Sequence, residues 1–392
     1  MPRAQTSPAA AASAAPTSRA ARGAGNRLPR AARYPRGTAP PVLLEVRRGS
    51  FVESRHRGHV VQVGASGSVE RGVGDPTAEI SLRSAVKPFA LVALVEAGAA
   101  DAFQLGDSEL AVMASSHTGE DAHVRTLQGV LRRAGLSQSL LACGVDAMPL
   151  DSLTAARLAR DGETPGPIRH MCSGFHAASL LLARHAGWTL ADYWRPEHQS
   201  QVAVAEVVAR IFGVNARSLR TAVDACGVLT FIFPLADIAR AFALLADPAG
   251  AADARRLPLV PALARVRDAM LAAPEMVGGS RESSDTRLMR TSPGLLLAKG
   301  GAEGLRGVGL LRGARGAGSA AAGLAVTIED GDGSGRANRA VTVEALSQIG
   351  ALSPAQVEGL HDIHRPLARD PRGTVVGETV PAFELAPLSE LA

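Results

Sequence analysis

Residues 83–89 have the sequence RSAVKPF, which places Ser84 three positions before Lys87. The apolar residues that follow recur at helical spacing as far as Gly98, so the pattern predicts a helix that begins at this stretch. Residues three apart share a face of a helix, so Ser84 Oγ and Lys87 Nζ can meet. A lysine whose pKa is lowered by burial or by a second cation can accept a serine proton. The stretch is a candidate Ser-x-x-Lys acylation centre, and the alternative interpretation is a solvated helix end.

The composition is that of an ordinary globular protein. The chain has 392 residues, of which 46% are hydrophobic and 20% charged, enough for one large or two closely joined domains. Residues 1–40 contain seven arginines and no acidic residue, and the remainder has 35 Lys+Arg against 37 Asp+Glu. Because the basic excess is confined to this segment and only 3% of residues are aromatic, we expect no nucleic-acid partner.

The first forty residues are rich in Ala, Pro, Arg and Ser and lack hydrophobic periodicity. Such a segment buries too little surface to offset its chain entropy, so residues 1–40 are predicted to be a disordered tail. No uncharged apolar stretch of about 18 residues occurs, so no membrane contact is expected. The three cysteines, Cys143, Cys172 and Cys226, cannot form a disulfide framework, which indicates a reducing cytoplasmic location.

The order of the predicted elements indicates an α+β protein. Strands are predicted at 42–47 and 59–63, a mostly helical lobe from about 108 to 275, and strands followed by a helix from about 293 to 350. Within the lobe, helices are predicted at 120–134, 151–160, 174–186, 197–212, 234–247 and 259–272. We therefore expect a catalytic domain of residues 41–392, with an antiparallel sheet built from both chain ends, packed on helices and carrying the helical lobe as an insertion.

Further motifs carry polar side chains that are suited to chemistry. They are Ser115-Ser116-His117-Thr118-Gly119-Glu120, Cys172-Ser173-Gly174-Phe175-His176, Asp224-Ala225-Cys226-Gly227 and Lys299-Gly300-Gly301. Ser116 and Lys299 supply a second hydroxyl and a second amine. The glycines after Lys299 would let a substrate backbone or carboxylate approach closely, because they have no Cβ.

Taken together, these motifs resemble the L-asparaginase II family, which is related to a thermolabile bacterial asparaginase. The family patterns R-G-x-x-E-S-x-H-x-G, R-S-x-x-K-P, S-H-x-G-E, C-S-G-K-H, D-G-C-G and K-x-G-A-E-G are met in this order over roughly residues 41–350. Phe175 stands where the family pattern has lysine, and Ala225 stands where it has glycine. The resemblance implies a serine-β-lactamase/glutaminase-like fold, L-asparagine as the small-molecule substrate, and a homodimer.

The resemblance also implies two Ser–Lys pairs, Ser84 with Lys87 and Ser116 with Lys299. One serine would attack the side-chain amide of asparagine and form an acyl-enzyme with release of ammonia, and water would then free aspartate. The Ser-x-x-Lys spacing favours Ser84 as the nucleophile, with Ser116 passing a proton to the leaving amine. The reverse assignment stays open. A second cation beside the base lysine would help to lower its pKa by like-charge repulsion.

Arg83, His176 and Asp224 are candidates for binding the substrate. An aspartate suits the α-ammonium group of an amino acid, and an arginine suits its α-carboxylate. Structural roles are also open, namely a surface ion pair for Arg83, a turn cap for Asp224 and a core position for His176.

Cys172 and Cys226 are candidate zinc ligands, beside the expectation that no cofactor is required. Two thiolates can bind zinc, but such a site normally has four ligands. If the family lysine completes a metal or substrate site, Phe175 cannot replace it, because its side chain has neither a lone pair nor a charge. The alternative is that both cysteines are small buried residues that line the pocket.

Other functions also fit the sequence. A related serine hydrolase could act on glutamine, on β-lactams or on peptidoglycan peptides, although the Tyr-Ser or Ser-x-Asn element expected of the penicillin-recognising enzymes is not evident. A pocket separates asparagine from glutamine by details of size that are not visible in a sequence. Phe175 also fits a catalytically silent relative, which would fold normally and release no ammonia from any amide.

Overall fold

A computed structural model describes residues 39–145, 150–251 and 253–387. The tail predicted for residues 1–40 lies outside these ranges except for its last two residues. The described residues from Pro40 onward belong to one compact unit. Among them, none of the helices combines the length and the apolar composition needed to cross a bilayer.

The strands within the described ranges come from both halves of the chain. They are β1 (Val42–Arg48), β2 (Phe51–Gly64), β3 (Val69–Val73), β4 (Glu79–Ser81), β5 (Thr221–Val223), β6 (Leu229–Pro234), β7 (Leu296–Gly300), β8 (Arg306–Leu310), β9 (Ala322–Ile328), β10 (Leu367–Arg369), β11 (Val375–Pro381) and β12 (Ala386–Pro387). The main sheet runs in the order β10-β11-β1-β2-β9-β8-β7, with β3 paired to β2 and β12 paired to β3. All of its pairings are antiparallel, so the α+β prediction is confirmed.

The helices fill most of the segment between β4 and β7 and then follow β9. They are α1 (Lys87–Glu96), α2 (Ala99–Ala102), α3 (Asp107–Met113), α4 (Asp121–Arg133), α5 (Ser152–Asp161), α6 (Ser173–His185), α7 (Gln199–Phe212), α8 (Leu235–Ala246), α9 (Pro248–Ala251), α10 (Val260–Ala272), α11 (Pro274–Val277), α12 (Ser284–Thr291), α13 (Arg336–Gln348), α14 (Pro354–Glu358) and α15 (His361–His364). The six helices predicted within the lobe correspond to α4, α5, α6, α7, α8 and α10, to within about two residues at each end. The short helices α2, α3, α9, α11, α12, α14 and α15 were not predicted individually.

Two strands lie inside the segment that the sequence predicts to be helical. β5 and β6 pair with each other, and β6 pairs with β4, which makes a separate three-stranded antiparallel sheet. β5 has three residues and is exposed, so it carries too little hydrophobic pattern to be detected. β2 is also longer than predicted, because its polar first half pairs with β1 as an extended ribbon.

The stretch that contains Ser84 forms two elements rather than one helix. Residues Arg83–Val86 make a 3₁₀ turn, and α1 begins only at Lys87, with proline in its first turn. α1 is buried almost throughout its length. The ring of Phe89 packs edge-on against Phe242 of α8, with the ring centroids 5.1 Å apart. The helix is therefore an internal element of the core, and Lys87 is held at its buried end.

Two glycines allow close backbone packing around this end of α1. A Cβ on Gly174 of α6 would lie 1.9 Å from the carbonyl oxygen of Val112 in α3. A Cβ on Gly301, just after β7, would lie 2.7 Å from the carbonyl oxygen of Leu82. The neighbour of Gly301 is thus the protein's own backbone, which corrects the expectation that substrate would occupy that space.

We predict that Gly174→Ala lowers the free energy of unfolding by about 1–3 kcal/mol, because the new methyl group overpacks a backbone contact. Gly129→Ala in α4 is the matched control, since a Cβ there has no neighbour within 4 Å. In the control, the free energy of unfolding should rise by about 0.5–1 kcal/mol, because glycine is unfavourable within a helix. Urea unfolding of both variants measures the difference, and equal stabilities would contradict the close packing of α6 on α3.

Candidate active site

Ser116 Oγ lies between the amino groups of two lysines. Lys87 Nζ is 3.2 Å from this oxygen and Lys299 Nζ is 2.9 Å from it. Lys87 begins α1, Ser116 lies in the loop between α3 and α4, and Lys299 lies near the end of β7. The loop is tied down because the N–H of Ser116 donates to the carbonyl of Val277 at 3.0 Å. The fold thus brings together three of the predicted catalytic residues from distant parts of the chain.

Within the described part of the chain, Lys87 Nζ has three hydrogen-bond partners: the carbonyl of Ser115 at 2.7 Å, Ser116 Oγ at 3.2 Å and Cys172 Sγ at 3.3 Å. An ammonium group has three N–H donors, so these contacts occupy all of them. Ser84 is not among the partners, because it lies in the 3₁₀ turn, where the side-chain spacing of an α-helix does not apply. Ser84 is half-buried at the start of this turn.

Lys299 is fully buried, with 0% of its surface exposed. Besides Ser116, its Nζ contacts the carbonyl of Gly300 at 2.7 Å. Burial lowers the pKa of Lys299 to about 7; the carboxylate of Asp285 opposes this effect, and the nearby cation of Lys87 adds to it. At neutral pH the amine is therefore present in both its charged and neutral forms, as a group that exchanges protons must be.

Lys87 and Lys299 are the only two lysines in the whole sequence, which contains 40 arginines. Both are buried, with 3% and 0% of their surfaces exposed. Arginine cannot release its proton at physiological pH, whereas a buried lysine can. The chain therefore uses arginine for every other cation and lysine only beside Ser116. This count is the sequence signal that would have identified the pair without any motif.

Arg83 and Asp224 pair with each other at the start of the 3₁₀ turn. Arg83 Nε donates to Asp224 Oδ1 at 3.0 Å, and the same oxygen accepts the N–H of Ala225 at 2.6 Å. Asp224 therefore both caps its turn and holds the arginine. Arg83 has a φ of 46°, a left-handed conformation that is unfavourable for a residue with a Cβ and that is found preferentially at functional sites.

His176 is completely buried on α6 and contacts Tyr193 Oη through Nδ1 at 2.6 Å. Tyr193 Oη accepts the N–H of Ala142 at 2.9 Å, so its own proton is free to donate to His176. The ring proton of His176 then resides on Nε2, which has no partner among the described residues. Burial lowers the pKa of His176 to about 4, so the ring is neutral. Tyr193 had no sequence signal that marked it.

The described residues do not fit a zinc site at Cys172 and Cys226. Across the described ranges, no group of three or more His, Cys, Asp or Glu side chains could hold a metal ion. A hydrogen bond from Cys226 and the Lys87 ammonium lower the pKa of Cys172, although burial opposes this. A cationic N–H group 3.3 Å from Cys172 Sγ occupies a direction that a metal ion would need. Phe175 is buried and supplies no ligand atom.

Glu120 joins the serine loop to the segment before α12. One of its carboxylate oxygens accepts the N–H of Ser280 and the other accepts the hydroxyl of Ser280, both at 2.7 Å. His117, in the same loop, contacts α6, because its Nε2 is 2.9 Å from Ser173 Oγ. The polar residues of the S-H-x-G-E motif thus hold the backbone on which Ser116 is placed.

We predict that Lys299 titrates near pH 7, far below an exposed lysine. Because the protein has two lysines, biosynthetic labelling with isotope-labelled lysine yields two side-chain signals, and Lys87→Arg assigns them. A pH titration by nuclear magnetic resonance gives the midpoint directly. If Lys299 kept its proton above pH 9, its burial beside a second cation would be contradicted.

Comparisons with known proteins give one family match and several similar solved structures. The family model described as L-asparaginase II matches residues 44–381. No curated protein matches the chain. Among solved structures, the chain is similar to Mglu in its L-glutamate binding form in 4.3 M NaCl, at 18% identity over 75% of this chain and 58% of that chain, with a TM-score of 0.33. The tris and glutamate form of Mglu matches at 15% identity over 79% and 63%, with a TM-score of 0.35.

The chain spans about 58–63% of the length of these Mglu structures. The family match, in contrast, covers most of the chain. The protein belongs to the L-asparaginase II family.

Proposed function

We propose that the protein is an amidohydrolase that converts L-asparagine and water to L-aspartate and ammonia through a serine acyl-enzyme. The observation that carries this proposal is the position of Ser116 Oγ between the two lysines of the chain, 3.2 and 2.9 Å away. Membership of the L-asparaginase II family supports asparagine as the substrate.

Proton transfer along the lysine pair prepares the base. Lys87 donates to Ser116 Oγ, and the Ser116 hydroxyl can donate in turn to neutral Lys299. Movement of one proton along each bond leaves Lys87 neutral and Lys299 charged. Lys87 then has the lone pair that a general base requires. A pKa of about 7 for Lys299 leaves part of this amine neutral near neutral pH, so that it can receive the proton.

Ser84 is the proposed nucleophile. For this step the Ser84 hydroxyl has to move up to Lys87 Nζ, whose contacts in this structure are Ser115, Ser116 and Cys172. Its proton then passes to Lys87 as its oxygen attacks the side-chain amide carbon of asparagine. The tetrahedral intermediate collapses when the departing nitrogen takes a proton from Ser116, which regains one from Lys299, and ammonia leaves. Water then attacks the ester and gives its proton to the same relay, which frees aspartate and restores the Ser84 hydroxyl.

Arg83 and Asp224 are proposed to bind the two charged groups at the α-carbon of the substrate. Their mutual ion pair is mostly shielded, with side-chain exposures of 24% and 12%. A zwitterionic amino acid replaces one ion pair by two, carboxylate with Arg83 and ammonium with Asp224, so binding leaves neither side chain unpaired. The unpartnered Nε2–H of His176 is a further donor for the substrate.

The proposal also includes a homodimer, as the family resemblance implies, and a reducing cytoplasmic location, which suits three free cysteines. Sedimentation of the purified protein and fractionation of cells would test these two parts.

We predict that Lys87→Arg and Lys299→Arg each lower ammonia release from asparagine by about 10²- to 10⁴-fold, because arginine keeps the charge but cannot accept a proton. Ser84→Ala and Ser116→Ala should lose activity to a similar extent. Ser108→Ala, an exposed serine in α3, is the control and should keep it. Glutamine is assayed beside asparagine. A folded wild-type protein that releases ammonia from neither amide would show a silent binding relative instead.

We also predict that acid quenching during turnover traps an aspartyl ester on Ser84. Trypsin would leave Ser84 and Ser116 on one peptide, because Lys87 precedes proline and the next cleavage site is Arg125. Cleavage after glutamate separates the two serines, since Glu96 and Glu109 lie between them. Mass spectrometry then locates the ester. An ester on Ser116 would reverse the roles of the two serines, with Lys299 as the base.

A further inference from the structure

A buried carboxylate that the mechanism has not used faces Lys299 from α12. Asp285 Oδ2 is 3.9 Å from Lys299 Nζ. The same oxygen accepts the N–H of Gly300, the next residue in the chain, at 2.8 Å. Asp285 therefore touches the backbone that carries Lys299 and lies within electrostatic reach of its amine.

Arg306 of β8 pairs with the other oxygen of Asp285. Although burial opposes it, the cations of Arg306 and Lys299 lower the pKa of Asp285, so the carboxyl group is ionised. One carboxylate is thus shared between a permanent cation and a lysine that can lose its charge. Arg306 weakens the attraction between Asp285 and the Lys299 ammonium without abolishing it.

Arg306 is itself fixed in orientation by α13. Arg306 Nε donates to Asn338 Oδ1 at 2.8 Å, and Asn338 Nδ2 donates to the carbonyl of Gly304 at 2.6 Å. The first turn of α13 is capped by Asp332, whose carboxylate accepts the N–H groups of Ala337 and Asn338 at 3.0 and 2.8 Å. The guanidinium group therefore has one defined position beside Asp285.

The opening motif of the sequence lies at the far end of this network. His56 Nδ1 is 2.7 Å from Asp330 Oδ2, and Arg336 Nε donates to His56 Nε2 at 3.0 Å. These contacts attach β2 to the turn and the helix that hold Asn338. They give a structural role to a motif residue for which the reaction has no use.

The ionisable groups that act on the pKa of Lys299 come from four parts of the described chain. Lys87 faces it from α1, Cys172 from the residue before α6, Asp285 from α12 and Arg306 from β8. Two of these groups are cations, and Asp285 is the nearby carboxylate. The negative charge of the Asp285 carboxylate therefore stabilises the protonated form of Lys299 against the repulsion of the two cations.

We propose that Asp285 is a positioning residue for Lys299, the proton relay of the proposed mechanism, which it fixes through Gly300 and whose charge it balances under the control of Arg306. The geometric part stands on the contacts of Asp285, and its consequence for catalysis rests on the proposed amidohydrolase function. Asp285 touches no substrate atom in this scheme and acts only through Lys299.

The test compares two single variants that should move the titration of Lys299 in opposite directions. Asp285→Asn removes the attractive carboxylate, so the pKa of Lys299 should fall by about 1–3 units. Arg306→Gln removes a cation that repels the Lys299 ammonium and that shares the Asp285 carboxylate with it. The pKa of Lys299 should therefore rise by about one unit or more. Full-length protein with isotope-labelled lysine reports both shifts by nuclear magnetic resonance, with or without catalytic activity.

Two controls separate this role from a merely structural one. Asp151→Asn breaks another buried carboxylate–arginine pair, with Arg281 Nε at 2.7 Å, and should leave the titration of Lys299 unchanged. The double variant Asp285→Asn/Arg306→Gln removes both charges, so its titration should lie between those of the single variants. If Arg306→Gln alone does not fold, the double variant takes its place in the comparison. The pKa of Lys299 should then be higher in the double variant than in Asp285→Asn.

The acid limb of the pH profile of kcat/KM should follow the titration of Lys299, moving to lower pH in Asp285→Asn and to higher pH in Arg306→Gln. Shifts in the same direction in both variants, or no shift in either, would overturn the positioning role. Opposite shifts in a protein that releases no ammonia would support the role of Asp285 and refute the proposed function instead.

Discussion

Two amino groups that share one serine oxygen impose the constraint on which this site depends. Lys87 and Lys299 both contact Ser116 Oγ, and both are buried. Two full positive charges so close together in a poorly solvated interior repel strongly, so the pair is stable only if protons are shared or a carboxylate is near. Burial resolves the conflict by lowering the pKa of Lys299 to about 7. The feature that destabilises the charged pair is thus the one that makes a base available near neutral pH.

The fold meets this constraint by holding the two lysines on regular secondary structure. Lys87 begins an internal helix, and Lys299 lies in a strand that pairs with β8. Neither residue lies on a loop that could swing its amine into water. Close backbone contacts at Gly174 and Gly301 let α3, α6, β7 and the 3₁₀ turn meet around the site. Each glycine contributes by lacking a side chain where two backbones touch.

The long helices of the lobe and the α+β class could be predicted from the sequence, because Ala- and Leu-rich segments mark these helices and Gly-rich breaks separate several of them. Strands as short as β5 could not be predicted, since three exposed residues show no alternation of apolar and polar side chains. The motifs identified Ser116, Lys87 and Lys299, but helical spacing was a poor guide to Ser84, which precedes α1 in a 3₁₀ turn. Asp285, Arg306 and Tyr193 could not be found, because their partners lie far away in the chain and nothing local distinguishes them from ordinary polar residues.

The contact between Lys87 and Cys172 explains how this site can differ from the family pattern at Phe175. Cys172 Sγ accepts the third N–H of Lys87, and the neighbouring Cys226 thiol stabilises the negative charge that the sulfur would carry. The Lys87 ammonium, 3.3 Å from this sulfur, occupies a direction that a metal ion would need. A lysine at position 175 would carry a further positive charge, whereas the buried ring of Phe175 carries none. The lowered pKa of Lys299 therefore needs no charge at position 175, because burial and the cations of Lys87 and Arg306 already lower it.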